Sequence, residues 1–374
     1  MLFKEIAGQE EVKKKLIKSV KENRISHAQL FLGPEGNGSL LLAIAFAQYL
    51  NCENKTDDSC GTCPSCLKFN KLTHPDLHFV FPVTTTKQIT KNPVSDDFII
   101  KWREFILNNQ YFSQNQWYEY SGVENKQGII SKNESYEIIR KLNLKTFEAE
   151  YKSMIIWLPE KMNQSSGNKL LKLIEEPPGK TIFLMVSENA DPILPTILSR
   201  LQTIKIPKIS KNDLKEALIQ KYSISENVAD NYAQIANGNM IKAIDLFDNK
   251  GETFYNFEKF TVLMRLCFKN NLPEINEWID EMSSVGREKI KRFFEYALHI
   301  LRESFMINQG LPEISYLDTQ EVEFSKKLSP YINQTNVYDI YEEFNNAYYY
   351  IEANAYNKIV LMDLSLKLFK LIKQ

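Results

Sequence analysis

Two short stretches of this chain carry residue types and spacings that can do chemistry. The first holds Cys52, Cys60, Cys63 and Cys66 in the pattern C-x7-C-x2-C-x2-C. Such short spacings fold two thiolates round one ion, and four thiolates complete a closed tetrahedral zinc site with no open position for water. A closed site is structural, so structural Zn2+ is the cofactor expected; it contributes on the order of 10 kcal/mol or more to a small module. Reduced free cysteines or an iron–sulfur cluster are the alternatives, and His74 could replace one thiolate. The fifth cysteine, Cys267, stands apart and reads as a buried core residue.

The second stretch is Gly33-Pro34-Glu35-Gly36-Asn37-Gly38-Ser39-Leu40. A working phosphate loop follows G-x-x-x-x-G-K-[ST]. Gly33 and Gly38 stand in the right places, but Ser39 replaces the lysine and Leu40 replaces the metal-binding hydroxyl. Backbone N–H groups and the helix N-terminus still attract anions. Gly33, Gly36, Gly38 and Ser39 are therefore the candidate nucleotide contacts. No cation remains to neutralise a transferring phosphoryl group, and no side chain remains to place magnesium. The loop is then either a plain strand-to-helix turn or a residual site for ADP or phosphate, and ATP is not expected to be hydrolysed.

The elements that must position these residues follow an alternating pattern. Glu10 to Arg24 reads as a helix with Val12, Leu16 and Val20 on one face. Ala28 to Leu32 is a short apolar run before the glycine loop, and a helix over about Leu40 to Leu50 follows it. Further runs at Leu77–Phe81, Met154–Leu158, Thr181–Ser187 and Thr203–Ile206 suit buried parallel strands with helices between them. In ATPases built this way the strand over 154–158 ends in acidic residues that hold magnesium and water. Those positions here are Trp157 and Leu158, and Glu160 comes two residues late. Two departures on elements that meet at one point argue against hydrolysis.

Residues 83–130 interrupt the alternation. Phe98, Ile99, Trp102, Phe105 and Ile106 have helical spacing, and an Asn/Gln/Ser-rich aromatic stretch, Asn108 to Ser121, follows. The segment reads as an insertion with one amphipathic helix, otherwise a mobile loop packing its aromatics on the domain or a partner-binding surface. After Pro207 the strand signal fades into small helices, including Asn212–Lys221 and Met240–Phe247, and from about 251 onward the chain is helical throughout.

The 374 residues suggest two or three domains. Hydrophobic residues make up 43% and charged residues 25%, which excludes a disordered chain. A net charge of -1 opposes a protein that binds nucleic acid by its own basic surface. No secretory leader opens the sequence, and the longest apolar run, Leu40–Ala47, is too short to span a bilayer. The expectation is a cytoplasmic protein with no membrane partner.

Four stretches resemble the delta-prime subunits of bacterial DNA polymerase III, within the clamp-loader class of AAA+ proteins. They are Phe3–Gln9, Ser26–Pro34, the cysteine cluster with His74-Pro75-Asp76-Leu77, and Asn168–Pro178 followed by Leu194–Gln202. Asn354–Lys358 is a weaker match to the end of the family's collar domain. The fold this implies is α/β plus all-α: an AAA+ α/β domain over 1–207 with a zinc module at 52–66 and the insertion at about 83–130, a helical lid over 208–250, and a helical collar over 251–374. The resemblance also implies that Arg200, with Ser199, is an arginine finger acting in trans on a neighbour's ATP. A guanidinium in that role contributes roughly 10³–10⁵ in rate in the best-measured GTPases. Leu201 stands where the family usually has a cysteine, and Ile241, beside Lys242, stands where motor subunits carry a nucleotide-sensing arginine.

The implied function is a subunit without its own ATPase activity in the DNA polymerase III clamp loader, a stator that lends Arg200 to an adjacent motor. Its implied partners are tau/gamma-type ATPase subunits and the delta subunit, with the sliding clamp and primer-template DNA reached through the complex. An active AAA+ ATPase with a divergent site is one alternative. A stand-alone zinc-dependent nucleic-acid-binding protein is the other.

Overall fold

The computed structural model describes residues 1–123, 127–248, 250–311, 317 and 319–373. Residues 124–126 of the expected insertion, and 249, 312–316, 318 and 374 of the expected helical regions, lie outside the described residues. The chain forms two compact units, Met1–Ala243 and Ile244–Gln374.

The first unit is built on five parallel strands: β1 (Ala28–Leu32), β2 (Leu77–Val80), β3 (Lys152–Trp157), β4 (Thr181–Ser187) and β5 (Gln202–Lys205), in the order β2-β3-β4-β1-β5. Leu30 lies beside Met185 on one neighbour and Thr203 on the other, and Met154 lies beside Phe183. β1, β3 and β4 are apolar almost throughout because helices cover both faces of a parallel sheet. Side chains alternate between the faces. Leu30, Met154, Ile156, Phe183 and Met185 pack on one side with Ile138, Leu170 and Ile174. Phe31, Ile155, Trp157, Leu184 and Val186 pack on the other.

That second face receives α2 (Ser39–Leu50), every residue of which is buried. A helix apolar all round is one enclosed on every side. Around it lie α1 (Glu10–Lys21) and α3 (Pro64–Asn70), while α6 (Lys132–Asn143), α7 (Gln164–Glu175) and the short α8 (Pro195–Leu198) complete the α/β part.

The insertion departs from the expected single helix. It forms α4 (Ile99–Asn108) and α5 (Gln114–Ser121), and its aromatics enter the main core. Trp102 stacks on Phe81 with ring centroids 4.1 Å apart and meets Trp117 edge-on at 4.8 Å and Trp157 at 5.2 Å. The polar residues that masked α5 are its cap: Ser113 Oγ accepts from Gln116 N, and Gln116 Oε1 accepts from Ser113 N.

After the sheet come α9 (Lys211–Tyr222), α10 (Glu226–Ala236), which pack together, and α11 (Met240–Asp248). The second unit is helical: α12 (Lys250–Lys269), α13 (Leu272–Ser284), α14 (Arg287–Asn308), α15 (Thr319–Leu328), α16 (Val337–Glu352) and α17 (Asn357–Leu371). Its core holds Phe260, Trp278, Phe293, Phe294, Phe344 and Leu364. Cys267 is buried there, as its isolation in sequence suggested, and burial pushes its thiol up to about 12. The α/β plus all-α fold class is therefore the one expected. Among the described residues no helix is long and apolar enough to cross a membrane.

Candidate functional site

β1 runs directly into the glycine loop. Gly33 N donates to Ser187 O, at the end of β4, across 3.2 Å. Gly38 precedes α2 with a left-handed φ of +86°, a conformation that favours glycine. At Gly36, φ +75°, an added Cβ would lie 1.9 Å from Asn239 Oδ1, and its carbonyl accepts from Met240 N at 3.0 Å. The Gly36 carbonyl is thus tied to the start of α11.

Asn37 fills the loop from within and is only 2% exposed. Its Oδ1 accepts from Ser39 N at 3.0 Å and from Ser39 Oγ at 2.6 Å, while Nδ2 donates to Ile206 O at 3.1 Å. An N–H at the head of a helix is the group an incoming phosphate would use. Here it already has an acceptor.

The candidates Gly33, Gly36, Gly38 and Ser39 line one cavity together with Tyr111, Trp157, Leu158, Glu188 and Ile241. Trp157 and Leu158, both buried, line it at the positions where the sequence reading expected carboxylates for metal. Leu158 has a left-handed φ of +57° and donates its N–H to Val186 O at 2.8 Å. Glu160 is turned to Ser187, whose Oγ donates to Oε2 at 2.8 Å, and burial raises its carboxyl above the usual range. Glu188 lines the cavity; burial, with the charges of Glu35 and Glu160, pushes it up to about 7. The carboxyls lining the loop cavity are Glu35 and Glu188, and among the described residues no lysine or arginine lines it to attract phosphate.

Tyr111, from the turn between α4 and α5, covers the loop. Its Oη accepts from Ala7 N at 3.0 Å, and burial pushes its phenol up to about 12, so it stays neutral. A Cβ placed on Gly38 would come within 3.3 Å of the ring. The space left is about 50 Å³, whereas small-molecule sites run to roughly 300–1,000 Å³.

The cysteine cluster assembles as its spacing suggested. The four sulfur atoms of Cys52, Cys60, Cys63 and Cys66 lie within 4.8 Å of one another, and Cys60 Sγ is 3.9 Å from Cys66 Sγ. Tetrahedral zinc with bonds near 2.3 Å would set sulfurs ~3.8 Å apart, so the four residues fit zinc closely. Cys60 N, Cys63 N and Cys66 N donate to Cys52, Cys60 and Cys63 Sγ at 3.2, 3.3 and 3.4 Å. The Thr62 and Cys63 amides hold the Cys60 thiol down at about 6, while burial pushes Cys52 and Cys66 up. His74 is not in the cluster; its ring lies 4.6 Å from that of Phe69.

Ser199 and Arg200 follow α8, in the turn that leads to β5, and neither lines the loop cavity. The Arg200 side chain lies along the surface, 32% exposed. Nε donates to Glu175 Oε1 at 2.6 Å, and Nη1 donates to Thr196 O at 2.7 Å and Ser199 Oγ at 3.2 Å.

A family model described as DNA polymerase III, delta subunit, matches residues 8–210, which hold the glycine loop, the four cysteines and Ser199–Arg200. The chain belongs to this family. Among similar proteins, this family member is 27% identical over 241 residues to DNA polymerase III subunit delta-prime of Bacillus subtilis, covering 64% of this chain and 60% of that protein. It is also 27% identical over 252 residues to DNA polymerase III subunit tau of the same organism, covering 66% of this chain and 37% of the relative. The match thus spans less than two thirds of either relative. A solved gamma subunit-related protein of Thermotoga maritima aligns over 96% of this chain and 99% of its own, at 14% identity and a TM-score of 0.38, too low to carry a structural equivalence.

Three residues of the site escaped the sequence reading. Asn37 occupies a position where the loop motif admits any residue. Glu188 follows directly after β4, and only the sheet order brings it to the loop. Tyr111 sits in the insertion, more than seventy residues along the chain, and nothing local signals its reach.

Proposed function

We propose that this member of the delta-subunit family is the stator of a clamp loader: it assembles with tau/gamma-type ATPase subunits and a delta subunit, and does not hydrolyse ATP itself. The observation that carries the reading is the loop's hydrogen-bond economy. Ser39 N is spent on Asn37 Oδ1, and Trp157 and Leu158 stand where metal-binding carboxylates would be needed. Phosphoryl transfer depends on positioned cations and donors; this site lacks the lysine and the metal-binding side chains, and the Ser39 N–H is already engaged.

In this reading the chain divides into an AAA+ α/β domain over 1–207, a lid over 208–250 and a collar over 251–374, and works in the cytoplasm. The complex loads a sliding clamp onto primer-template DNA. Arg200 is the finger that enters a neighbour's ATP site, with Ser199 beside it. A surface guanidinium held by one carboxylate, one carbonyl and the Ser199 hydroxyl supports that role, because an exposed ion pair is worth only about 0.2–1 kcal/mol and can be exchanged for a γ-phosphate. Cys52, Cys60, Cys63 and Cys66 would hold structural zinc, which supplies folding energy and no chemistry.

The test is steady-state ATPase activity of the reconstituted loader with clamp and primed DNA. Arg200→Ala is expected to leave assembly intact and lower turnover by at least about a hundredfold. Unchanged turnover would remove the finger and leave a scaffold. Failure of the wild-type chain to assemble with the motors would end the reading altogether.

A further inference from the structure

The turn between α4 and α5, residues 109–112, is held at both ends. Asn109 N donates to Phe105 O at 2.7 Å, and Phe112 packs on Phe105, Trp157 and Trp102 with ring centroids 4.8, 5.4 and 5.8 Å away. Between these anchors, Gln110 and Tyr111 project over the glycine loop and line its cavity. Tyr111 Oη takes the N–H of Ala7, and Gln110 Oε1 takes a hydrogen bond from Lys221 Nζ of α9 at 3.1 Å. Three separate segments therefore meet at this turn: the stretch around Ala7, the head of α2 at Gly38, and the helices after the sheet.

Other bonds tie the same three segments. Gln9 Nε2 donates to Pro207 O at 2.7 Å and to Asn37 O at 3.3 Å, and Met240 N donates to Gly36 O at 3.0 Å. A nucleotide seated on a phosphate loop would place its phosphates at the head of α2 and its nucleoside beside them. The ring of Tyr111 lies beside that head, with its polar edge bonded to backbone as a base edge would be.

We propose that residues 109–112 are a built-in occupant of the nucleotide cradle, in which Tyr111 stands in for a nucleoside and, with Gln110, locks helices 211–243 onto the α/β part without any nucleotide. Glu35 and Glu188, which line the cavity, suit a neutral phenol better than a phosphate. The device goes beyond the stator reading, and it is tested on the isolated chain, so the two can fail separately.

Hydrogen–deuterium exchange of the full chain reads the lock directly. In the wild type, MgADP is expected to leave exchange unchanged at every peptide. Tyr111→Ala should speed exchange in 5–9, 36–41 and 211–222 by about tenfold, the loss of roughly one hydrogen bond with its packing. Strands 152–157 and 181–187 should stay protected. Tyr111→Phe keeps the ring and loses the acceptor, so faster exchange is expected at Ala7 alone. Protection of the wild-type loop by MgADP would overturn the proposal, because nucleotide would then displace the turn. So would a Tyr111→Ala chain with unchanged exchange in those three segments. If that variant unfolds throughout, Tyr111→Phe decides: faster exchange at Ala7 supports the lock, and no change there overturns it.

Discussion

Asn37 Oδ1 lies 3.0 Å from the backbone nitrogen of Ser39 and accepts its hydrogen bond inside the glycine loop. This one contact occupies one of the backbone donors on which a phosphate loop depends. Restoring the lost side chains alone should therefore not restore chemistry. The double substitution Ser39→Lys, Leu40→Thr is expected to show no ATP turnover by the isolated chain, because Asn37, Trp157 and Leu158 remain in place. Steady-state phosphate release measures it, and turnover at a rate typical of an active motor would show that the loop had merely lost two side chains.

Trp102 ties the insertion to the sheet. It is fully buried and stacks on Phe81 next to β2 while meeting Trp157 at the end of β3. Trp102→Ala should destabilise the first unit by about 3–5 kcal/mol, the range for emptying a large aromatic site. Urea unfolding followed through exchange of 152–157 gives the value. A loss below about 1 kcal/mol would mean that the insertion is a dispensable cover.

The strands were legible because β1, β3 and β4 are mostly apolar runs ended by turn residues, a pattern that requires no knowledge of neighbours. The cysteine cluster was legible because its ligands sit close in sequence, so spacing alone brings them together. The insertion was not. Its polar residues, Ser113 and Gln116, read as loop composition but serve as a helix cap. Its aromatics have partners more than twenty residues away, as Trp102 has in Phe81 and Trp157. The filling of the loop by Asn37 and its covering by Tyr111 are likewise products of tertiary packing.

Glu134 makes stability depend on pH. It is 1% exposed on α6, and its Oε2 accepts from Ser95 N at 2.6 Å. Burial pushes its carboxyl up from 4.5 to about 7. The folded state therefore binds a proton that the unfolded chain has released. The contribution is complete below about pH 4.5, declines as pH rises, and is lost above about 7. Glu134→Gln keeps an oxygen for Ser95 N and cannot ionise. It should flatten the decline and raise stability above neutral pH relative to the wild type, by on the order of 2–3 kcal/mol. Thermal unfolding of both proteins across this range decides it; parallel curves would assign the pH dependence to other groups.

The cysteine cluster reaches further than its own loop. Asp58, between Cys52 and Cys60, accepts from Phe3 N and Lys4 N, each at 3.1 Å. Gly61 O accepts from Asn70 Nδ2 at 3.3 Å. The loop that zinc would close thus holds the segment carrying Ala7 and Gln9 toward the glycine loop. The chain should hold one zinc ion, and Cys63→Ser should lose it. Chelation should then lower the melting temperature of the first unit and speed exchange in 3–9 before it reaches strands 152–157 and 181–187. That order follows from the contacts: the segment over 3–9 leans on the cysteine loop, while the central strands lean on one another. Metal analysis with exchange before and after chelation tests both parts. A chain that carries no zinc, or that loses it with 3–9 still protected, would show that the thiols pack as a small apolar cluster and hold nothing else in place.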